Sequence, residues 1–249
     1  MRRILIRADD LGYSEGVNYG IAKSVREGII RSVGVMPNMP AAAHGLALLE
    51  GAGACLGQHT NICTGRPLTD PALIPSLTQE DGTFKPSRAY RTAREDFVVL
   101  DEVILEIEAQ YQQFVRLTGR QPRYFEGHAV ASANFYKGLE IVTQRHGLDY
   151  LPLRLDGPVL FRKTWLYAVL ESMAPDYDPF ATLQKAALTD YGPDGCAMMI
   201  CHPGYLDDDI LRTSSLTLPR PREVAMACAP ATRRWLEEQE IQVVTFDEL

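Results

Sequence analysis

The feature that most constrains the fold is an alternation. Short aliphatic or β-branched runs are separated by longer stretches of helical period, the pattern of βαβ units with a parallel sheet. Residues 3–8 (RILIRA), 31–36 (RSVGVM), 55–62, 123–128, 149–153, 196–201 (CAMMIC) and 242–246 are predicted strands. Helices are expected over about 14–27, with Ser14 as N-cap and Gly28 as stop, and over 40–49, opened by Pro40. A long helix is expected over 88–118, where Val99, Val103, Ile107 and Tyr111 recur every four residues before Gly119 ends it. Further helices are expected over 134–145, near 165–173 and 179–189, and over 222–238. Residues 65–87 are rich in Pro, Gly, Thr and Asp and show no period. Loops of that length in compact domains are usually functional, so an active-site loop is expected there.

The chain has 249 residues, 46% of them hydrophobic and 23% charged, which excludes disorder, collagen-like fibre and disulfide-stapled miniproteins. With no repeat, low-complexity tract or linker, a single domain over 1–249 is expected. A net charge of -7 and no basic run longer than Arg2-Arg3 argue against a nucleic-acid partner, because that affinity needs clustered cations. No stretch approaches the roughly 20 apolar residues of a membrane span, and the N-terminus enters a strand without a cleavage site, so a cytoplasmic protein without a membrane partner is expected. Cys55, Cys63, Cys196, Cys201 and Cys228 are odd in number and form no C-x-x-C pair, which suits reduced core thiols.

The polar residues of metal and acid–base chemistry sit at the ends of the apolar runs: Asp9 and Asp10 after the first, His59 late in the third, His128 closing the fourth, and His202 after CAMMIC. In parallel α/β architectures the carboxyl ends of the strands carry the active site. Taken singly, each has an ordinary explanation, such as a helix cap, a polar strand end or a core histidine. Their convergence on one side of a sheet favours function. One carboxylate and two imidazoles make a facial ligand set for a divalent cation with open positions. A bound metal can lower the pKa of its water from roughly 15.7 to about 7, and a second adjacent carboxylate can serve as general base. His202 is a candidate for proton transfer to a leaving group. Arg154, ending the fifth predicted strand, could orient a substrate carboxylate or stabilise negative charge. There is no G-x-S-x-G elbow, P-loop or G-x-G-x-x-G, and the adjacency of Cys201 and His202 is poor evidence for a dyad.

Ala8-Asp9-Asp10-Leu11-Gly12, Ser14-x-Gly16-x-Asn18-x-Gly20-Ile21, Gly57-Gln58-His59-Thr60, Thr64-Gly65-Arg66-Pro67-Leu68 and Cys201-His202-Pro203 together resemble the YdjC-like carbohydrate deacetylases, including chitooligosaccharide deacetylases of the ChbG type. The resemblance covers nearly the whole chain. It implies a distorted TIM-like (β/α) barrel with mostly parallel strands, related to the polysaccharide deacetylases. It implies removal of an N-acetyl group from a small acetylated saccharide, with Asp9 as base, Asp10, His59 and His128 holding one divalent metal ion (Mg or Zn), and His202 as acid. The sequence departs from the family's D-S-H-x-H-x-H, reading Glu126-Gly127-His128-Ala129-Val130-Ala131-Ser132, and Leu11 replaces a Phe. Two rival readings are a non-catalytic sugar-binding protein of the same fold and a metal-dependent hydrolase of another amide or ester. A homodimer is the base-rate expectation for a soluble enzyme.

Overall fold

The computed structural model describes residues 2–249. Its centre is β1 (Arg2–Leu11), buried on both faces for most of its length, as the strands of a helix-covered parallel sheet are. On one side follow β2 (Ser32–Val35), β3 (Cys55–Thr60) and β4 (Phe125–Gly127), and on the other β7 (Gly195–Cys201), β6 (Thr164–Val169) and β5 (Val159–Phe161). All pairings are parallel except the β5–β6 hairpin. A last strand, β8 (Ile241–Val244), pairs with Arg2–Leu5 of β1, while β2 pairs with Arg7–Leu11, so the two share one edge of the central strand.

Alternation along the strands separates two apolar layers. Ile4, Ile6 and Ala8 join Val33, Leu56, Met199 and Cys201 against helices α1 (Glu15–Arg26), α2 (Ala42–Leu48), α6 (Pro179–Leu188) and α8 (Pro219–Cys228). Leu5 faces the other way and meets Tyr124, Leu166, Cys196, Met198, Ile200 and Val244 inside the curl of the sheet. Phe246 closes the bottom of this interior, its ring centroid 3.9 Å from that of Tyr124 and 5.3 Å from that of Phe161. The expected α/β barrel with mostly parallel strands is thus realised as a half-barrel, open between β4 and β5.

A third apolar cluster lies outside the half-barrel, where α4 (Leu100–Thr118) and α5 (Ala133–His146) contribute Val103, Ile107, Phe135 and Leu139. The 65–87 segment adds Ile74, Leu77 and Phe84 to it, and the backbone N–H groups of Leu68 and Thr69 donate to the buried Glu106 carboxylate. Among the described residues no helix is long and apolar enough to cross a membrane.

Several expected elements differ. The helix expected over 88–118 is two: α3 (Ser87–Thr92) and α4, joined by an extended segment in which Asp96 accepts from the Val98 and Asn134 N–H groups and the Ser132 hydroxyl. Val99 is therefore exposed at the start of α4 instead of lying on its buried stripe. The helix expected over 222–238 breaks at Pro230 into α8 and α9 (Pro230–Glu238), because proline excludes the helical conformation of the residue before it. The segment near 165–173 is not helical but β6. Thr164, Trp165, Tyr167 and Val169 favour a pleated surface, and Arg162 at φ 52° closes the hairpin to β5. The fifth strand expected over 149–153 is a single parallel bridge from Tyr150 to Phe125, and Pro152 lacks the N–H needed to extend it.

Candidate active site

The end of β1 builds the site by breaking the strand rule. Arg7 and Asp9, two residues apart, share the inner face, and Asp10 in a regular strand would point out to the helices. Instead the register against β2 slips between Ala8 and Leu11, and Asp10 adopts φ 75°. Such a left-handed conformation costs a non-glycine residue on the order of 1–3 kcal/mol, and it turns two consecutive carboxylates into one pocket. His59 lies on β3, beyond β2. Gly34 of β2 lies between: a Cβ there would stand 3.0 Å from Asp9 Oδ1 and 3.1 Å from His59 Cβ. Lack of a side chain at this point lets groups on β1 and β3 meet across the intervening strand.

His59 Nε2 and His128 Nδ1 each lie 3.2 Å from Asp10 Oδ1 and 2.9 Å from each other. That oxygen is buried without a hydrogen-bond partner, whereas Arg220 Nη2 holds Asp10 Oδ2 at 2.7 Å. Three donors about 3 Å apart are what metal–ligand bonds of about 2.0–2.2 Å give at near-right angles. The residues therefore fit a divalent cation. The charge agrees: the carboxylates of Asp9, Asp10 and Glu126 outnumber the guanidiniums of Arg7 and Arg220 by one, all five groups being buried.

Behind His59, its Nδ1 meets Glu126 Oε1. Arg7 Nη2 lies 2.6 Å from Asp9 Oδ2 and 3.5 Å from Glu126 Oε2, with its guanidinium over the Tyr124 ring. Asp9 Oδ1 has no partner. Burial opposes charge on all these groups, but the neighbours outweigh it. The Arg220 guanidinium holds Asp10 well below the usual carboxylate range, Arg7 depresses Glu126, and Glu126 and Asp9 raise His59 well above the usual imidazole range. Asp10 likewise brings His128 up to about 10.

His202, just past β7, completes the pocket of about 440 Å³ from the opposite side. Its N–H donates to Glu223 Oε2 at 2.5 Å, and the Tyr177 hydroxyl donates to Glu223 Oε1 at 2.7 Å. Burial pushes the His202 imidazole down to about 4, so it rests neutral, and burial pushes Glu223 up to about 7.

The structure thus brings together Asp9, Asp10, His59, His128 and His202, all flagged by the sequence. Arg154 is not among them. It lies on an exposed segment, 3.3 Å from Asp156, in a neighbouring groove of about 490 Å³ that shares Arg91, Gly127, Ala129 and Leu153 with the pocket. Val130 is buried in the third apolar cluster and Ser132 caps α5, which is where the two departures from the family motif sit. The sequence reading missed Arg7, Glu126, Arg220 and Glu223. A charge within the apolar run of β1 and an acid two residues before His128 were signals for the first two, and nothing local marks the others.

Comparison with known proteins places the chain in a family. The profile of the family described as YdjC-like protein matches residues 3–238. A carbohydrate deacetylase of Geobacillus stearothermophilus is 30% identical over 99% of this chain and 98% of its own length. A chitooligosaccharide deacetylase of Escherichia fergusonii is 30% identical over 96% of this chain and 95% of its own. Among solved structures, a candidate cellobiose-phosphate cleavage protein of Enterococcus faecalis V583 superposes with a TM-score of 0.83 at 18% identity, covering 99% of this chain and 98% of that one. A family 4 acetyl xylan esterase from Clostridium thermocellum, in complex with a cobalt ion, does so at 0.52 and 13% identity, covering 99% and 89%. With the family profile spanning nearly its whole length and relatives at 30% identity end to end, the chain belongs to the YdjC-like family.

Proposed function

We propose that this protein is a metal-dependent hydrolase that removes the N-acetyl group from a small N-acetylated saccharide and releases acetate. The observation that carries the reading is the orphaned Asp10 Oδ1 facing two imidazole nitrogens at 3.2 Å, beside a second carboxylate, Asp9, with one oxygen free. The names of the full-length relatives supply the substrate class.

Asp10, His59 and His128 would hold the cation, and two imidazoles with one carboxylate suit zinc or cobalt better than magnesium, which prefers oxygen ligands. When bound, the metal polarises the acetyl carbonyl and makes water a nucleophile near neutral pH. Asp9 takes the proton of the attacking water on Oδ1 while Arg7 pins Oδ2, which keeps the base oriented. His202, fixed through its backbone by Glu223, faces this base across the pocket and delivers a proton to the departing sugar nitrogen. Because it rests neutral, the proton it delivers is the one Asp9 takes from the attacking water, passed on across the pocket during turnover. Arg154 and Arg91 line the adjoining groove, where they contact parts of the saccharide remote from the acetamide. The five free cysteines support a reducing, cytoplasmic setting.

The test is metal content together with acetate release from N-acetylated mono- and disaccharides. One metal per chain and acetate release are expected, both lost in His128→Ala and His59→Ala. Asp9→Asn is expected to keep the metal and lose turnover, and Arg154→Ala to raise KM with little change in kcat. Metal without acetate release would move the search to other hydrolysable bonds. Full turnover by Asp9→Asn would remove Asp9 as the base.

A further inference from the structure

Glu126 is a buried carboxylate for which the reaction above has no chemical use. It is 2% exposed, and an apolar residue of similar size would be cheaper to bury if filling space were its only role. Its position follows from the sheet: β3 and β4 pair with His59 directly opposite Glu126, so both side chains leave the sheet on the same face. The carboxylate meets His59 Nδ1, and the opposite ring nitrogen, Nε2, faces Asp10 Oδ1 and His128. A carboxylate at Nδ1 keeps the proton on that nitrogen and leaves the Nε2 lone pair for a cation. It also stops the ring from rotating. The second Glu126 oxygen shares Arg7 Nη2 with Asp9 Oδ2. Asp9, His59 and Glu126 lie close enough to hold a cation of their own, but Arg7 already supplies the positive charge between the two carboxylates.

We propose that Glu126 is a positioning residue that fixes the ring of His59 for metal binding and, through Arg7, ties that ligand to Asp9. The proposal rests on reading Asp10, His59 and His128 as the cation site. Glu126 acts through His59 and touches neither substrate nor metal.

The test is calorimetric titration of zinc into the metal-stripped full-length protein and its Glu126→Gln and Glu126→Asp variants. Nitrogen-15 NMR of the histidine rings is recorded in the zinc-loaded forms, with melting curves as a check on folding. Glu126→Gln is expected to bind zinc about 10- to 100-fold more weakly, the usual effect of losing a carboxylate behind a metal-bound imidazole. The His59 ring resonances should lose the pattern of a proton fixed on Nδ1. Glu126→Asp keeps the charge at shorter reach and should recover part of the affinity, which decides the matter if the Gln variant does not fold. Zinc affinity within about threefold of wild type in a folded Gln variant, with unchanged ring resonances, overturns the proposal and leaves the cation site standing. A wild-type protein that takes up no zinc overturns the cation site and the proposal with it.

Discussion

Gly34 and Asp10 serve one end from opposite directions, since one forgoes a side chain and the other accepts a strained backbone so that β1 and β3 can present their polar groups in one pocket. A methyl group at position 34 would enter the space between Asp9 and His59, where both neighbours are held by Arg7 and Glu126 and have little room to move. Gly34→Ala is therefore expected to cost about 1–3 kcal/mol of stability as overpacking and to lower metal occupancy and turnover together. A fully active, fully metallated variant in the same assays would show that the site tolerates the shift. The residues of this pocket were unequally legible in the sequence. Asp9, Asp10, His59, His128 and His202 stand out because, although each alone has an ordinary explanation, all sit at the ends of apolar runs and so converge on one side of the sheet. Arg220 does not, because its partner Asp10 is 210 positions away and only the closed fold brings them together. The bulge that redirects Asp10 was equally hidden, since it is a register slip between two strands and leaves no local mark.

Element by element, the sequence pattern located most strands and helices, and its errors have two causes. Periodicity detects a face to be buried and is blind to a backbone interruption within an otherwise suitable run. The break before α4 depends on Asp96 gathering N–H and hydroxyl groups from two elements, including Ser132 and Asn134 at the start of α5. Short aromatic runs such as that of β6 are ambiguous by period alone, and pairing with β7 decides them. Ser132 illustrates how the departures from the family motif are absorbed. Its hydroxyl accepts from the Phe135 N–H and donates to Asp96, so it is both helix cap and anchor for the preceding segment. Ser132→Ala should cost about 1–2 kcal/mol and lower the melting temperature by a few degrees, while zinc affinity stays within about twofold of wild type. A large loss of zinc binding would place Ser132 nearer the chemistry than its contacts indicate.

For the molecule as a whole, the buried Glu223 and the half-buried His202 set opposing pH dependences. Glu223 is raised from 4.5 to about 7, so its contribution to stability is complete below pH 4.5 and is lost as pH rises towards 7. His202 is lowered from 6.5 to about 4, so its contribution is complete above pH 6.5 and is lost as pH falls towards 4. Each amounts to at most about 3 kcal/mol, less for His202, which keeps some contact with solvent. Over pH 4.5–6.5 they largely cancel, and single variants should separate them. Relative to wild type, the melting temperature of Glu223→Gln should climb as pH rises from 4.5 to 7, and that of His202→Asn should fall as pH rises from 4 to 6.5. Parallel profiles for all three proteins would refute this balance.

The donors for a cation all come from the first 128 residues, on β1, on β3 and just past β4, whereas His202, Arg220 and Glu223 come from β7 onward. The two stretches meet where β7 and β8 pair with β1, where Gly16 bonds Asp207, and at the Arg220–Asp10 contact. If Asp10, His59 and His128 hold the cation as proposed, retaining it and protonating the leaving group fall to different stretches of the chain, linked at the site through Arg220. An opening confined to the segment that carries His202, with Arg220 still on Asp10, would then leave the proposed donors in place and silence the reaction, so under mild denaturant turnover should be lost ahead of bound metal.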